Sequence, residues 1–268
     1  NNKVGVCTSL DGPKEIHDSN RPAKKSNYEK VIKWIKRFKD EYKDEQSVEA
    51  LVTLTKKSLK YPKKIVDEYI SNGLKNIHLR FLNKLGVAKE AWDDINYSVD
   101  EYLDFWKKAI SYIKEKQNQG IEIEERMVNI MTQKISGDTD PGYMDLRSPC
   151  GAAIGQLTYD YNGDVYTCDE ARTLKEDIFK LGNVKTTDYK EAVTSKNACA
   201  TVCASLNEQY ICDSCVYKPY CGVCPVCNYA ESGSIIGTGK QRCRIFKEQF
   251  DWVFNERFIR NKKENKRI

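Results

Sequence analysis

The sequence predicts an α/β fold followed by a small cysteine-rich domain. Three observations carry this. Strand-type and helix-type segments alternate through roughly the first 120 residues, which is the rhythm of βαβ units around a parallel sheet. The composition then shifts at Gly137-Asp138-Thr139-Asp140-Pro141-Gly142, a polar Gly/Pro stretch that marks a domain boundary. Beyond it, ten of the 11 cysteines fall between Cys150 and Cys243.

The elements follow in order. Val4 to Leu10 is a short apolar run ending at the turn Asp11-Gly12-Pro13, a buried strand. Ser26 and Glu29 have capping-box spacing, and Val31, Ile35, Phe38 and Tyr42 then share one helical face, flanked by Ile32 and Trp34. Val48 to Thr55 is a second strand. Pro62 suits a first helical position and Gly73 the end of that helix. A third strand over Asn76 to Leu82 alternates Ile77, Leu79 and Phe81, and Ser98 with Glu101 opens a helix that Gly120 closes. Three such units are too few to close an eight- or six-stranded barrel, and an opening strand without a partner leaves a bare edge. Both features lead to the expectation that an N-terminal portion precedes Asn1. Further on, Gln156 to Tyr161 and Asp164 to Thr167 flank Asn162-Gly163, a hairpin signal because both turn residues tolerate positive φ. The stretch from Cys199 to Cys243 has few helix or strand signals, so bound metal is expected to shape it. Arg244 to Asn261 is an amphipathic helix carrying Phe246, Phe250, Val253, Phe254 and Phe258. The basic tail from Arg260 to Arg267 reads as solvated. The expected division is thus 1–137, 138–243 and 244–268.

Composition bounds the function. Apolar residues make up 40% and charged residues 31%, which excludes disorder, collagen and coiled coil. No apolar run approaches the roughly 20 residues of a membrane span. The formal charge of +5, from 44 basic and 39 acidic residues, is too mild to favour nucleic acid as a partner. The odd total of 11 cysteines argues against complete disulfide pairing, and close doublets such as Cys212/Cys215 suit metal or iron–sulfur ligation in a reducing compartment. Cys7, standing apart, reads as a small buried apolar residue. On spacing alone a structural zinc site of four thiolates is slightly favoured over iron–sulfur clusters. The run Cys221, Cys224, Cys227 with Pro225 is a weak ferredoxin-type signal.

Cys150-x12-Gly163-x4-Cys168, then Cys212-x2-Cys215-x5-Cys221-x2-Cys224, then Cys243 resembles the seven-cysteine signature of the SPASM domain, the C-terminal extension of radical S-adenosylmethionine peptide- and protein-modifying enzymes. The family places three residues, not two, between the last two cysteines of the middle group. Ser9-Leu10-Asp11-Gly12-Pro13, with Ile16-His17-Asp18 and Arg21, resembles the fourth-strand region of the radical SAM barrel in those enzymes. Cys150-Gly151-Ala152-Ala153, Cys168-Asp169-Glu170 and Tyr217-Lys218-Pro219-Tyr220-Cys221-Gly222 are most similar to maturases of His-Xaa-Ser peptide systems, and next to anaerobic sulfatase maturases.

The resemblance implies the C-terminal part of a partial (β/α)6 radical SAM barrel followed by an iron–sulfur-stabilised SPASM domain. It implies two auxiliary [4Fe-4S] clusters, one on Cys150, Cys168 and Cys224, the other on Cys212, Cys215, Cys221 and Cys243. No cysteine lies between Gly151 and Leu157, so the first cluster has either an open iron or a fourth ligand among Cys199, Cys203 and Cys227. The family's radical-generating cluster needs C-x3-C-x2-C. Cys199 and Cys203 do not complete that pattern, so it is expected upstream of Asn1 and this polypeptide alone is not expected to cleave S-adenosyl-L-methionine. Ser9 and Arg21 are implied to face that cofactor, turn chemistry being the alternative. Asp169 is implied to accept a proton from substrate, a hairpin-end hydrogen-bond acceptor being the alternative. Arg80 is a candidate carboxylate holder, and His17 and His78 read as structural. The implied activity of the parent is formation of a 5′-deoxyadenosyl radical that modifies a side chain of a ribosomally made peptide or protein. Flavodoxin or ferredoxin would donate electrons, in the cytoplasm, without membrane or nucleic acid. The rivals are a zinc-stabilised binding module and an iron–sulfur electron-transfer protein.

Overall fold

The computed structural model describes residues 6–42, 48–137 and 140–259. The chain packs as two compact units, residues 1–82 with 92–129, and residues 83–91 with 130–268.

In the first unit, β1 (Val6–Ser9) and β2 (Val48–Leu51) run parallel, with Val6 opposite Val48 and Ser9 opposite Leu51. The connection carries α1 (Lys14–Asn20) and α2 (Asn27–Tyr42). Ser26 begins α2 as its spacing predicts: its Oγ accepts the Glu29 N–H at 3.3 Å while donating to Asp18 Oδ2 at 2.8 Å. Of the predicted apolar face, Ile35 is fully buried, whereas the flanking Trp34 is exposed. Val4, Gly5 and the side chain of Tyr42 lie outside the described residues. β1 is not the buried strand the apolar run suggests. Among the described residues it has a neighbour on one side only, and Cys7 is exposed rather than buried.

α3 (Pro62–Ser71) starts on Pro62, which lacks the N–H that a first helical residue cannot use, and the chain leaves it through Gly73 at φ +63°. It buries Ile65, Val66 and Tyr69. β2 and β3 (Asn76–Ile77) are shorter than the predicted strands over 48–55 and 76–82. The physical reason at β3 is that side chains take the backbone groups a ladder would use. Glu125 Oε1 accepts the Leu79 N–H at 3.1 Å, Tyr102 Oη donates to the Leu79 carbonyl at 2.8 Å, and Tyr97 Oη accepts the Leu82 N–H at 2.7 Å. The segment is still core, with Ile77 and Leu79 almost fully buried.

The short α4 (Val87–Glu90) belongs to the second unit and α5 (Trp92–Ile95) to the first. α6 (Val99–Asn118) has the full capping box: Ser98 Oγ accepts the Glu101 N–H at 3.2 Å and Glu101 Oε2 accepts the Ser98 N–H at 2.8 Å. Its apolar stripe buries Tyr102, Phe105, Trp106 and Ile110, and Gly120 ends the connection at φ +82°. β4 (Glu124–Glu125) pairs parallel with β3, and α7 (Arg126–Ser136) follows.

The second unit is built on an antiparallel sheet of β5 (Thr158–Tyr159), β6 (Asp164–Tyr166) and β7 (Lys180–Asn183). The predicted hairpin forms, but only Gly163 takes positive φ, at +89°; Asn162 does not. Pairing of Tyr159 with Val165 and an Asp160 N–H to Asp164 carbonyl bond of 2.8 Å make the loop longer than two residues, so a single left-handed residue suffices. α8 (Asp169–Leu174) lies between β6 and β7, and α9 (Tyr189–Val193) and α10 (Lys196–Ala204) follow the sheet.

The stretch from Cys199 to Cys243 is more helical than its sequence suggests. The end of α10, α11 (Tyr210–Asp213), α12 (Pro225–Ser232) and the start of α13 (Lys240–Val253) all fall in it. Local capping explains this: Pro225 opens α12 and Gly233, at φ +73°, closes it. α13 buries Phe246, Phe250 and Val253 as its periodicity predicts, and a π-helical turn, residues 254–259, continues it. The side chain of Phe258, the boundary residues Asp138 and Thr139, and the basic tail lie outside the described residues. Among the described residues no helix is long and apolar enough to cross a membrane.

Candidate metal centre

The second unit holds every cysteine except Cys7, and all are free thiols. The β6 strand of the hairpin delivers Cys168 to the N-cap of α8, where its Sγ accepts the Ala171 N–H at 3.4 Å. Cys224 occupies the same position on α12, and its Sγ accepts the Cys227 N–H at 3.5 Å. A helix N-terminus favours a thiolate at such a position. Cys150 is anchored by its N–H to Ser205 Oγ at 2.9 Å. It enters a tight turn in which the Gly151 carbonyl accepts from Ile154, Gly155 and Gln156.

Electrostatics divides seven thiols into two sets. Cys150 and Cys168 each interact with Cys224, and Cys168 also with Cys150. Cys212 interacts with Cys243 and Cys215, and Cys221 with Cys243 and Cys212. The first set packs with Ala152, Tyr166, Ala171, Phe179 and Val226. The second lines a cavity with Phe246 and Phe250, and Cys224 borders that cavity too. Tyr217 stacks on Phe250 at 5.3 Å between centroids.

Burial pushes the Cys150 and Cys221 thiols up to about 11 and raises Cys168 further. These thiols therefore hold their protons at neutral pH until a bound cation replaces them. Among the described residues no three His, Cys, Asp or Glu side chains converge closely enough to hold a single metal ion. The donor set itself, two groups of thiols in apolar surroundings, fits polynuclear iron–sulfur clusters.

Two features here had no sequence signal of their own. Arg242 is buried, pairs with Asp145 at 3.2 Å, lies 4.8 Å over the Phe246 ring, and interacts with Cys224 and Cys227. It places one cation beside the anionic ligand field. Its position next to Cys243 is the only clue in sequence; Asp145, 97 residues away, offers none. Gly222 lets the backbone of 145–147 approach, since a Cβ there would stand 2.7 Å from the Arg147 carbonyl and 2.8 Å from that of Asp145.

The remaining candidates are placed as follows. Cys199 and Cys203 are exposed on α10, while Cys227 is buried with its N–H bonded to Cys224 Sγ at 3.5 Å. Asp169, exposed in the first turn of α8, accepts from Thr158 Oγ1 at 3.0 Å. In the first unit, Ser9 ends β1 and is half-buried. Arg21 is held by buried Asp11, Nε to Oδ2 at 2.9 Å, and reaches Thr53 Oγ1 at 3.0 Å. Asp11 also accepts the Thr53 N–H at 2.9 Å, so the turn residue organises this strand end. His17 is fully buried and its Nδ1 accepts the Asp11 N–H at 3.2 Å, a structural role. His78 is buried and Arg80 half-buried just beyond β3.

Comparison with known proteins bears on this geometry. Residues 150–228 match the SPASM family, an iron–sulfur cluster-binding domain. Two curated relatives, cysteine-type anaerobic sulfatase-maturating enzymes from two strains of Clostridium perfringens, are each 26% identical over 261 residues, covering 94% of this chain and 66% of their own length. The chain thus spans just under two thirds of these relatives. Among solved structures, native anSMEcpe with bound AdoMet superposes with a TM-score of 0.75 at 22% identity, covering 94% of this chain and 66% of that one. The same enzyme with bound AdoMet and the Kp18Cys peptide gives 0.75 at 22% identity, covering 94% and 67%. Residues 150–228 therefore match an iron–sulfur cluster-binding SPASM domain, and the chain shares the fold of about two thirds of anSMEcpe.

Proposed function

We propose that this chain is the SPASM-bearing part of a radical SAM maturase acting on a side chain of a ribosomally made peptide or protein. The observation that carries the reading is the separation of seven thiols into two sets in and beside the SPASM match. One auxiliary [4Fe-4S] cluster is assigned to Cys150, Cys168 and Cys224, the other to Cys212, Cys215, Cys221 and Cys243. Residues 1–137 are assigned to the barrel part, 138–243 to the SPASM domain, and 244–268 to a terminal helix and tail.

When bound, the clusters and S-adenosyl-L-methionine supply one-electron chemistry and hydrogen-atom abstraction. The protein's own residues bind, orient and shield. Ser9 ends β1, where barrel chemistry is placed, and Asp11 fixes the guanidinium of Arg21, the residue after α1, so that it meets cofactor in one orientation. Asp169 is assigned as proton acceptor from the substrate; its second oxygen remains available for that beside the Thr158 bond. Cys168 and Cys224 sit at the N-termini of α8 and α12, which offsets part of the burial cost of their thiolates. The cytoplasm, whose reducing conditions keep free thiols intact, is the assigned compartment, with flavodoxin or ferredoxin as electron donor.

Iron, zinc and acid-labile sulfide measured on anaerobically purified protein test this. Iron and sulfide near eight each, following four per cubane cluster, support it. Stoichiometric zinc without sulfide replaces it with a zinc-stabilised binding module.

A further inference from the structure

We propose that Cys227 is the fourth thiolate of the Cys150, Cys168 and Cys224 set. The assignment rests on the cluster reading above. A four-iron cluster takes four thiolates when fully protein-ligated, and this set has three. The turn after Cys150 offers no substitute, because residues 151–157 contain no Cys, His, Asp or Glu.

Three further cysteines lie in this unit, and the fold separates them. Cys199 and Cys203 sit one helical turn apart on the exposed face of α10. The inward face of that helix, at Ala198 and Val202, packs into a hydrophobic cluster with Ala153, Val165, Leu181 and Ala192. That is a different cluster from the one around Cys168. To reach the first set, α10 would have to turn over and expose Ala198, which is 1% exposed.

Cys227 lies beside a member of the set, Cys224. It is 5% exposed, in the first turn of α12, and its N–H bonds to Cys224 Sγ at 3.5 Å. Val226, next to it, is packed in the same apolar cluster as Cys168, with Cys150 and Cys224 against it. α12 also packs on α8, the helix that Cys168 caps. Cys224 and Cys227 therefore form a two-thiol claw at one helix start, the arrangement by which a C-x-x-C turn delivers two ligands from one loop. Asp145, the acidic group interacting with both thiols, is already committed to Arg242. On ligation the Cys227 sulfur binds iron as a thiolate and its proton leaves to solvent.

The test uses reconstituted protein under anaerobic conditions, read by electron paramagnetic resonance of the reduced clusters with and without cyanide. Cyanide binds an iron that lacks a protein ligand. The wild type is expected to show no cyanide-induced change. Cys227→Ser and Cys227→Ala are each expected to show one altered cluster signal, and a three-iron signal after mild oxidation. The Cys199→Ser/Cys203→Ser double variant is expected to match the wild type. A cyanide response in the wild type overturns the assignment, and that arm stands even if the Cys227 variants do not fold. So does a response in the double variant, or Cys227 variants identical to wild type. A Cys224–Cys227 disulfide, seen as two thiols missing from the denatured loaded protein, overturns it as well. Absence of sulfide from the wild type is a separate result that removes the cluster reading itself.

Discussion

Cys168 and Cys224 occupy equivalent positions: each is the N-cap of a short helix, and each sulfur accepts the N–H of the residue three positions on. The two helices pack together, and both cap residues belong to one apolar cluster. The same sulfurs that cap the helices are the assigned ligands, and local folding and cluster binding therefore stabilise each other.

The two-set arrangement makes the clusters separable. Cys168→Ala should remove about half of the iron and sulfide, and Cys243→Ala about the other half, by the count of one cubane per set. Metal analysis after reconstitution checks this. Loss of all iron from either single variant would mean that the seven thiols act as one site.

Gly222→Ala should destabilise the second unit. The added Cβ meets three backbone atoms of Asp145 and Arg147 under 3 Å, and backbone cannot rotate away. An overpacking cost of about 1–3 kcal/mol is expected, seen in thermal unfolding together with reduced iron retention.

Asp145→Ala removes the carboxylate that pairs with the buried Arg242 at 3.2 Å. The cost should be roughly 3 kcal/mol, the low end for breaking a buried pair, because Asp145 keeps 18% exposure. Denaturant unfolding of wild type and variant provides the comparison.

Much of the first unit was legible because its signals are local. Ser98 with Glu101, Pro62 and Gly120 are short-range devices that act whatever surrounds them. Strand lengths were not legible: β3 stops at Ile77 because Glu125, Tyr97 and Tyr102, distant in sequence, take the next backbone groups. Exposure of Cys7 likewise depends on which strands flank β1. In the second unit, cysteine spacing singled out the thiols, whereas the Arg242–Asp145 pair spans 97 residues and leaves no pattern.

Glu125 should make the first unit pH-sensitive. Burial raises its carboxyl from 4.5 to about 7, against the bonds from Val128 and Leu79 that lower it. The folded state binds the proton more tightly than the unfolded chain, so this stability is fully present below pH 4.5 and is lost as pH rises to about 7. His17, whose pKa is lowered by burial, acts with the opposite sign: its stability is lost as pH falls below 6.5. The difference between the stability curves of wild type and Glu125→Gln isolates the first effect, expected at up to about 3 kcal/mol across that window. A flat difference would remove Glu125 from the account.

Native mass spectrometry of the anaerobically reconstituted chain tests the central claim most directly. The account predicts a folded species heavier than the polypeptide by two iron–sulfur clusters, stepping down by one cluster in Cys168→Ala. A folded species at the bare polypeptide mass, or one carrying zinc in place of iron and sulfide, would contradict it.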